Sequence, residues 1–360
     1  MKKFLQRNIV PLVFLVLCTI GFRYSGLSWM FFANDLMTRL ARNSFLVISL
    51  IIPVLAGMGL NFGIVLGAMA GQFAAFITVV HNMTGMTGFL AACAMSIPFA
   101  ILFGWLTGIL FNNAKGKEMI TGLILGFFAN GLYQLVCLIL VGWVIPISNK
   151  ALLLPSGTGF VNTIDLKIWQ YALDKFYVLR FKTITIPGLK YLNNINIPVL
   201  TLVVVAVLCT LVVLLFRTKL GQDLRAVGQN RHIAEVAGIK VDRVRIIAVI
   251  FSTVLAAWGQ LIFLQNIGNV QVYGSHVQVG TFAVAALLIG GATVSRATIG
   301  QALLGTVLFH ALFIVSPLAG KNIMGSAQVG EYFRVFIAYG VIGIALALHA
   351  WQRLAKPGKK

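Results

Sequence analysis

Long apolar runs separated by short polar segments make up most of the chain. Ten runs are long enough to be transmembrane helices, which need about 20 apolar residues with a range of roughly 17 to 25. They lie at 9–22, 44–60, 61–81, 87–111, 119–146, 197–216, 246–264, 279–294, 298–316 and 332–350. The division of 44–81 into two spans rests on its length and on the glycine-rich stretch from Gly57 to Gly63. The pattern predicts an all-α integral membrane protein with about ten spans in a single domain over residues 1–360.

The composition agrees with a membrane protein. Hydrophobic residues make up 59% of the 360 residues and charged residues only 10%, and the mean hydropathy is +0.94. Soluble domains carry about 25% charged residues, so this chain lacks the charge to cover a water-exposed surface. The cysteines lie in apolar runs, without the spacing of a disulfide framework or metal site, and we expect them to be small buried residues. They are Cys18, Cys93, Cys137 and Cys209.

The charge distribution indicates the orientation. The 28 Lys and Arg residues exceed the 8 Asp and Glu residues, giving a net charge of +20. A nucleic-acid surface would lie on a soluble fold or a charged tail, whereas these cations lie in short segments between apolar runs. Lys and Arg concentrate in cytoplasmic loops, which predicts cytoplasmic termini and a multi-pass protein surrounded by lipid of the cell inner membrane. No small-residue cleavage motif follows the first run, so we expect it to be retained rather than removed as a signal peptide.

Polar residues at membrane depth suggest a solute pathway. The predicted spans contain no Asp, Glu or Lys, which disfavours a proton- or ion-coupled carrier. They do contain amides, which are costly in lipid unless they face other helices or a wet cavity. These amides are Asn61, Gln72, Asn130 and Gln134. Hydrogen bonding between helices is one interpretation of each, but together they predict a neutral pathway for hydroxylated or amide-bearing solutes. His310 lies deep in a span and is expected to be structural, with gating or binding as the alternative, and His276 is expected in an outer loop.

Glycines recur every four residues on several predicted helices. Such stripes let helix backbones approach closely, which is a packing signal and not a solute signal. The stripes comprise Gly59, Gly63, Gly67 and Gly71, then Gly104 and Gly108, then Gly122 and Gly126.

Two segments are too long to be simple connectors. Residues 147–196 are predicted to face outward, where Leu166, Trp169 and Leu173 have the spacing of one face of a short helix on the membrane surface. Residues 217–245 are predicted to face the cytoplasm and read RTKLGQDLRAVGQNRHIAEVAGIKVDRVR.

The cytoplasmic segment has apolar residues at helical spacing on both sides of Gly228 and Asn230. Leu224 and Val227 precede this point, and Ile233 and Val236 or Ala237 follow it. The pattern predicts a short helix, a bend and a second short helix. A solvated loop would not need such residues, so docking into a groove of a cytoplasmic partner is favoured.

This segment contains the pattern K-L-G-x-x-L-R-A-V-G-x-N-x-x-x-A-x-x-A-G-I-x-V. The pattern resembles the coupling segment of ABC importer permeases of the ribose, nucleoside and branched-chain amino acid class. The stretches IAVIFSTVLAAWGQ and AVAALLIGGATV resemble later spans of the same family. The resemblance covers residues 197–316, and the N-terminal half agrees mainly by hydropathy. The sequence Asn61-Phe62-Gly63-Ile64-Val65 lacks the acidic residue that the nucleoside and sugar branches carry there, so no substrate branch is assigned.

The resemblance implies a type II importer permease that pairs with a second copy or a paralogue. It would bind cytoplasmic ATPase subunits, which hold ATP and Mg, and receive solute from an extracytoplasmic binding protein. Leu224, Val227 and Ala234 would fill the ATPase groove. Three glycines would shape the bend between the two helices, and three further residues would supply polar contacts to the ATPase. The glycines are Gly221, Gly228 and Gly238, and the polar residues are Arg225, Asn230 and Arg231.

The function predicted from these features is a permease subunit for a small polar solute. A simple sugar or a nucleoside is favoured, and a branched-chain amino acid is an alternative. Trp169, Tyr171 and Tyr177 are candidates for docking the binding protein. The chain shows no Walker A, GxSxG or HExxH motif, so we expect no enzyme activity, no metal and no cofactor on the chain itself. The rivals are a secondary carrier or channel for a small neutral solute and a membrane-embedded enzyme, and neither the carboxylates nor the histidine clusters they need are visible.

Overall fold

The computed structural model describes residues 9–114, 116–147, 149–175, 178–180 and 196–354, and these residues are mostly helical. The α-helices are α1 (Ile9–Ser25), α2 (Trp29–Ser49), α3 (Ile51–Leu55), α4 (Ile64–Val80), α5 (Gly85–Ala114), α6 (Glu118–Leu135), α7 (Val199–Arg217), α8 (Lys219–Gln229), α9 (Arg231–Val236), α10 (Val241–Ile267), α11 (Ser275–Ile289), α12 (Ile299–Met324) and α13 (Ala327–Leu354). A π-helix (Val136–Leu140) extends α6, and short 3-10 helices cover Lys150–Leu152 and Lys167–Trp169.

Six helical segments among the described residues are long and apolar enough to cross a membrane. They are Trp29–Leu55, Gly85–Ala114, Glu118–Leu140, Val199–Arg217, Val241–Ile267 and Ile299–Met324. Shorter apolar helices occupy Ile9–Ser25, Ile64–Val80 and Ser275–Ile289. The prediction of an all-α membrane protein is therefore confirmed. Each of the ten predicted runs overlaps a helix, and the chain breaks between Leu55 and Ile64 within 44–81. That all ten runs cross the membrane stays a prediction.

The second span begins earlier than predicted. Its helix starts at Trp29 rather than at residue 44, and its first half carries Asp35, Arg39 and Arg42. Hydropathy missed this half because its polar face lies against other helices and not against lipid. The expectation that no acidic residue lies within a span is wrong for Asp35, and also for Glu118, which opens the segment Glu118–Leu140.

Helix α10 is packed against two glycine faces. A Cβ atom on Gly67 of α4 would lie 2.6 Å from the Thr253 carbonyl oxygen, and one on Gly71 would lie 2.6 Å from the Ala257 carbonyl oxygen. On α5, a Cβ atom on Gly104 would lie 2.8 Å from the Ile250 Cα. These approaches leave no room for a side chain, so Gly67, Gly71 and Gly104 act in helix packing, as the sequence predicts. Gly59 and Gly63 lie before the start of α4 and not on a helix, and Gly126 has only an ordinary contact, 3.7 Å from the Phe62 carbonyl oxygen.

The predicted surface helix in residues 147–196 is wrong. Leu166, Trp169 and Leu173 are buried as a group, but they belong to a three-residue 3-10 helix and the turns beside it. The preceding strand β1 (Thr163–Asp165) pairs antiparallel with β4 (Asn269–Gln271), and β2 (Val178–Arg180) pairs antiparallel with β3 (Asn196–Pro198). Apolar spacing alone does not distinguish these short elements from a helical turn.

We predict that Gly67→Ala destabilises the protein, because its Cβ atom would meet both the Thr253 carbonyl oxygen and the Ala256 side chain at 2.6 Å. Overpacking of this kind typically costs about 1–3 kcal/mol. The measurement is the thermal midpoint of the detergent-solubilised protein, which should fall. Gly131→Ala is the matched control, since no atom lies within 4 Å of its Cβ position. Equal midpoints for the two variants would contradict the packing role.

Candidate coupling segment and polar interior

Residues 217–245 contain two short helices, α8 and α9, as predicted. We refer to these two helices as the coupling segment, after the resemblance described above. The Thr218 hydroxyl caps α8 by accepting from the Gly221 amide at 3.3 Å. The Asn230 side chain caps α9 by accepting from the amides of His232 at 3.0 Å and Ile233 at 3.1 Å. The chain therefore bends at Asn230, which is extended, and Gly228 lies inside the last turn of α8. Gly238, with φ of 83°, follows the end of α9.

The two helices bury one face and expose another. Leu224, Val227 and Ala234 are buried within this chain, with exposed fractions of 0%, 5% and 2%. The expectation that they fill a groove on a partner is wrong, because their side chains already pack against the membrane bundle. Ile233 and Val236 of α9 are exposed, at 65% and 77%. These two residues form the outward apolar face of the segment.

Helix α8 touches the turn between α3 and α4 through its backbone. A Cβ atom on Gly228 would lie 2.0 Å from the Leu55 carbonyl oxygen, and one on Gly57 would lie 2.8 Å from the Gly228 Cα. Gly221 is equally confined, because its Cβ atom would lie 2.1 Å from the Leu215 carbonyl oxygen. Helix α8 is therefore in direct backbone contact with the end of α3 and with the end of α7.

The polar residues of the segment are bound to its own chain. Arg225 is exposed and lies over the Phe216 ring at 5.1 Å. Arg231 forms an ion pair with Asp242 at 2.8 Å. Asn230 contributes its cap to α9 and is otherwise exposed. Arg225 and Asn230 thus remain accessible to a partner.

A buried ion pair lies near the start of α10, which follows the coupling segment. The Arg245 guanidinium contacts the Glu118 carboxylate at 2.5 Å, with side-chain exposures of 3% and 9%. A cavity of about 620 Å³ separates this pair from Val227 and Arg231. The pair joins the first turns of α6 and α10, close to the coupling segment.

A histidine joins two of the four predicted pathway amides. His276 Nδ1 lies 2.8 Å from Gln72 Oε1, and His276 Nε2 lies 2.8 Å from Asn130 Oδ1. The Tyr133 hydroxyl donates to the same Gln72 oxygen at 2.8 Å. Both contacts are to amide oxygens, which only accept, so a neutral imidazole donates to one of them. It bridges both side chains when the other amide turns its NH2 group toward the ring. We call Gln72, Asn130, Tyr133 and His276 the amide–histidine network.

The other two predicted pathway residues lie apart from this network. Asn61 is buried and donates to the Ser252 hydroxyl at 3.5 Å, and Gln134 is exposed on α6. His276 was missed because α11 begins at Ser275 and not at residue 279, so the histidine lies within the helix and is fully buried. Its polar neighbours Ser275 and Gln278 lowered the local hydropathy and hid the first turn.

Two buried amide atoms at the network have no hydrogen-bond partner among the described residues. They are Gln72 Nε2 and Gln260 Oε1, while Gln260 Nε2 donates to the Ser275 hydroxyl at 3.4 Å. An unsatisfied buried polar group costs about 1–3 kcal/mol.

Comparison with known proteins identifies the class. Residues 32–346 match the family described as the permease component of the branched-chain amino acid transport system. The chain belongs to this permease family. The nucleoside ABC transporter permease NupC of Lactococcus lactis is 29% identical over 293 residues, covering 78% of this chain and 81% of the relative. The ribose import permease RbsC of Escherichia coli is 23% identical over 347 residues, covering 95% of this chain and 92% of the relative.

A shorter match of higher identity is to a permease named for a third kind of solute, branched-chain amino acids. The probable branched-chain amino acid permease LivH of Methanocaldococcus jannaschii is 38% identical over 165 residues, which is 43% of this chain and 49% of the relative. No solved structure matches the chain. The predicted function, a multi-pass ABC importer permease of the inner membrane, is confirmed. Such subunits form the membrane passage and are not themselves enzymes.

The outer residues of the permease predicted to dock a binding protein occupy different environments. Trp169 is 1% exposed and packs near the Phe89 ring at 6.0 Å, so it anchors the outer segment and is not available to a partner. Tyr171 is half-buried with φ of 56°, and the Lys175 ammonium lies over its ring at 4.9 Å. Tyr177 lies outside the described residues.

We predict that Glu118→Gln lowers the thermal midpoint of the solubilised permease sharply, because it leaves the buried Arg245 charge unpaired. Breaking a buried ion pair costs about 3–5 kcal/mol. Lys167→Ala is the control, since it removes an exposed pair with Asp165, and such pairs contribute about 0–1 kcal/mol. The double variant Glu118→Leu with Arg245→Met should recover stability. If it is no more stable than Glu118→Gln, the unpaired charge is not the cause.

Proposed function

We propose that the permease forms half of the translocation unit of a binding-protein-dependent ABC importer. It would work with a second copy or a paralogue, with cytoplasmic ATPase subunits that carry ATP and Mg, and with an extracytoplasmic solute-binding protein. The ten apolar runs support ten spans, and the Lys and Arg distribution supports cytoplasmic termini. The membership of the family and the names of the relatives support this class of machine.

The observation that carries the proposal is the two-faced coupling segment. Its inner face of Leu224, Val227 and Ala234 fixes α8 and α9 to the bundle, while Ile233 and Val236 remain exposed. Exposed apolar residues on a short helix are costly in water and suit a groove on a partner protein. We assign the ATPase subunit to this outer face, with Arg225 and Asn230 as its polar surroundings.

In this mechanism, closure of the ATPase subunits displaces α9 and then α8. The contact of Gly228 with the Leu55 carbonyl passes the movement to α3 and α4. The pair of Arg245 and Glu118 passes it to α10 and α6. Tilting these helices would alternate access to a pathway that includes the amide–histidine network.

The proposed solute is small and polar. Sugar and nucleoside permeases are among the relatives that match most of the chain, and this favours those classes over a branched-chain amino acid. The amides of Gln72 and Asn130 both donate and accept hydrogen bonds, as hydroxylated solutes do. Asn61 remains a candidate at another depth, and the exposed Gln134 a candidate at the surface of α6. On the outer side, Tyr171 remains a candidate contact for the binding protein.

We predict that Ile233→Asp combined with Val236→Asp detaches the ATPase subunit while the permease stays folded. Burying each side chain in a partner would contribute roughly 1.5–3 kcal/mol, and a buried carboxylate would oppose binding further. The measurement is co-purification of the ATPase at low and high salt. Arg225→Ala should weaken binding only modestly, because exposed charges contribute little and are screened by salt.

Leu224→Asp is the contrasting variant, since its side chain is fully buried within the permease. It should lower the yield of folded permease itself, whereas the double α9 variant should not. Retention of the ATPase at wild-type level by the double variant would show that α9 is not the docking surface.

We predict that Gly228→Val uncouples the importer without releasing the ATPase. The added Cβ atom would clash with the Leu55 carbonyl oxygen, so α8 must shift away from α3, while the outer face of α9 is unchanged. The measurement is ATP hydrolysis by the reconstituted complex with and without its binding protein, whose stimulation should be lost. Gln229→Val is the matched control, because Gln229 is exposed in the same turn. Full stimulation in Gly228→Val would refute transmission through this contact.

A further inference from the structure

A cavity of about 270 Å³ lies among α2, α10, α11, α12 and α13. Three guanidinium groups line it, from Arg39, Arg42 and Arg334, together with His310 and Gln278. No Asp or Glu of the described part of the chain lines it. A cavity lined by several cations and no carboxylate is suited to an anion. We call it the arginine cavity.

Arg42 has no ionic partner among the described residues. Its terminal nitrogen donates to the Asn266 amide oxygen at 2.8 Å, and no carboxylate of the described residues lies within ion-pair distance. Asp174 lies behind Asn266, but its two oxygens accept from the Asn266 amide at 2.6 Å and the Thr201 hydroxyl at 2.5 Å. Both oxygens of the Asp174 carboxylate therefore accept hydrogen bonds from neutral groups. Arg42 lines the cavity and forms no ion pair with this carboxylate.

The other two arginines are held in place by carboxylates outside the cavity. Arg39 pairs with Asp35 one turn earlier on α2, at 3.0 Å. Arg334 pairs with Glu331 on α13. Each acidic residue precedes its arginine on the same helix, so the pairing orients the guanidinium and leaves further donors for a ligand, since each guanidinium has five N–H groups.

Three nitrogen atoms of the residues that line the cavity have no hydrogen-bond partner among the described residues. They are Arg42 Nε, Arg334 Nε and His310 Nδ1. His310 is only 5% exposed, so water at the protein surface does not satisfy it. These three atoms are covered by the protein itself, so a ligand in the cavity would bind through the terminal guanidinium nitrogens, which carry the other N–H groups.

Aromatic rings position the guanidinium groups and supply apolar walls. Arg42 lies over the Phe263 ring at 5.5 Å, and Arg334 lies over the Phe313 ring at 4.2 Å. Phe282 lies beside Phe313 at 4.8 Å between ring centroids. The volume of about 270 Å³ is near the lower end of ordinary ligand pockets, roughly 300–1,000 Å³. It therefore suits a single small molecule and not a phospholipid with its acyl chains.

We propose that the arginine cavity binds the carboxylate of the transported solute, a small sugar acid. A carboxylate matches the planar fork of a guanidinium in a bidentate contact, and the rings would contact the body of the solute. The proposal rests on the importer function proposed above and, within the sugar class favoured there, narrows the solute to a sugar that carries a carboxylate.

The test uses the permease–ATPase complex in nanodiscs and pairs of compounds that differ in the carboxylate. The pairs are glucuronate with glucose and galacturonate with galactose. Binding is measured by thermal shift and titration calorimetry. At least one acid should bind more tightly than its neutral counterpart. Arg42→Gln should weaken that binding about tenfold or more, since a hydrogen bond to a charged group is worth about 1.5–3 kcal/mol.

Two variants keep the result interpretable. Arg334→Gln should weaken acid binding in the same way, which covers the case in which Arg42→Gln does not fold. Arg23→Gln, an exposed arginine on α1, should leave acid binding unchanged. Retention of the ATPase by each variant shows that the complex is assembled.

The proposal is overturned if no acid binds better than its neutral counterpart, or if the two cavity variants bind the acids as the wild type does. It is also overturned if phosphatidylglycerol in the nanodisc displaces the acids and co-purifies with the wild type but not with Arg42→Gln, because the occupant is then a lipid headgroup. In each case the ATPase co-purification of the α9 variants still decides the importer function independently.

Discussion

Close contact between glycine faces and the backbone of α10 is the constraint on which the rest of the structure depends. In lipid, helices gain no hydrophobic driving force by associating, so packing and interhelical hydrogen bonds must hold them together. Gly67 and Gly71 of α4 and Gly104 of α5 bring two helices into direct contact with α10. Ser252 adds a hydrogen bond from α10 to the Ser49 carbonyl of α2 at 3.0 Å. A helix held on three sides moves only together with its neighbours.

This central helix connects the features to which a function is proposed. Its first turns follow the coupling segment and carry Arg245, which holds α6 through Glu118. Further along, Gln260 donates to Ser275 beside the amide–histidine network, and Phe263 lines the arginine cavity. A tilt of α10 would therefore alter both polar regions at once. Tight packing makes such a change a shift between discrete arrangements and not a gradual deformation.

The two polar regions differ in chemistry. The amide–histidine network consists of neutral groups that already bind one another, so a solute must compete with Tyr133 and His276 for the Gln72 oxygen. Three guanidinium groups and no carboxylate of the described residues line the arginine cavity, so an anion would meet only cationic and neutral side chains there. A solute with both hydroxyl groups and a carboxylate would find partners in each region.

The sequence alone determined the class of the protein, most of its helices and the two helices of the coupling segment. These follow from hydropathy, from apolar spacing and from caps such as Asn230, all of which act over a few residues along the chain. Only the tertiary structure decided that Leu224 faces inward while Ile233 faces outward, because both residues are apolar and at helical spacing. It also brought His276 to Gln72 and Asn130, and Arg334 to Arg42, across long separations in the chain. Such contacts depend on which helix faces pack together. Glycine contacts and buried hydrogen bonds between helices decide this packing, and the apolar spacing within one helix does not.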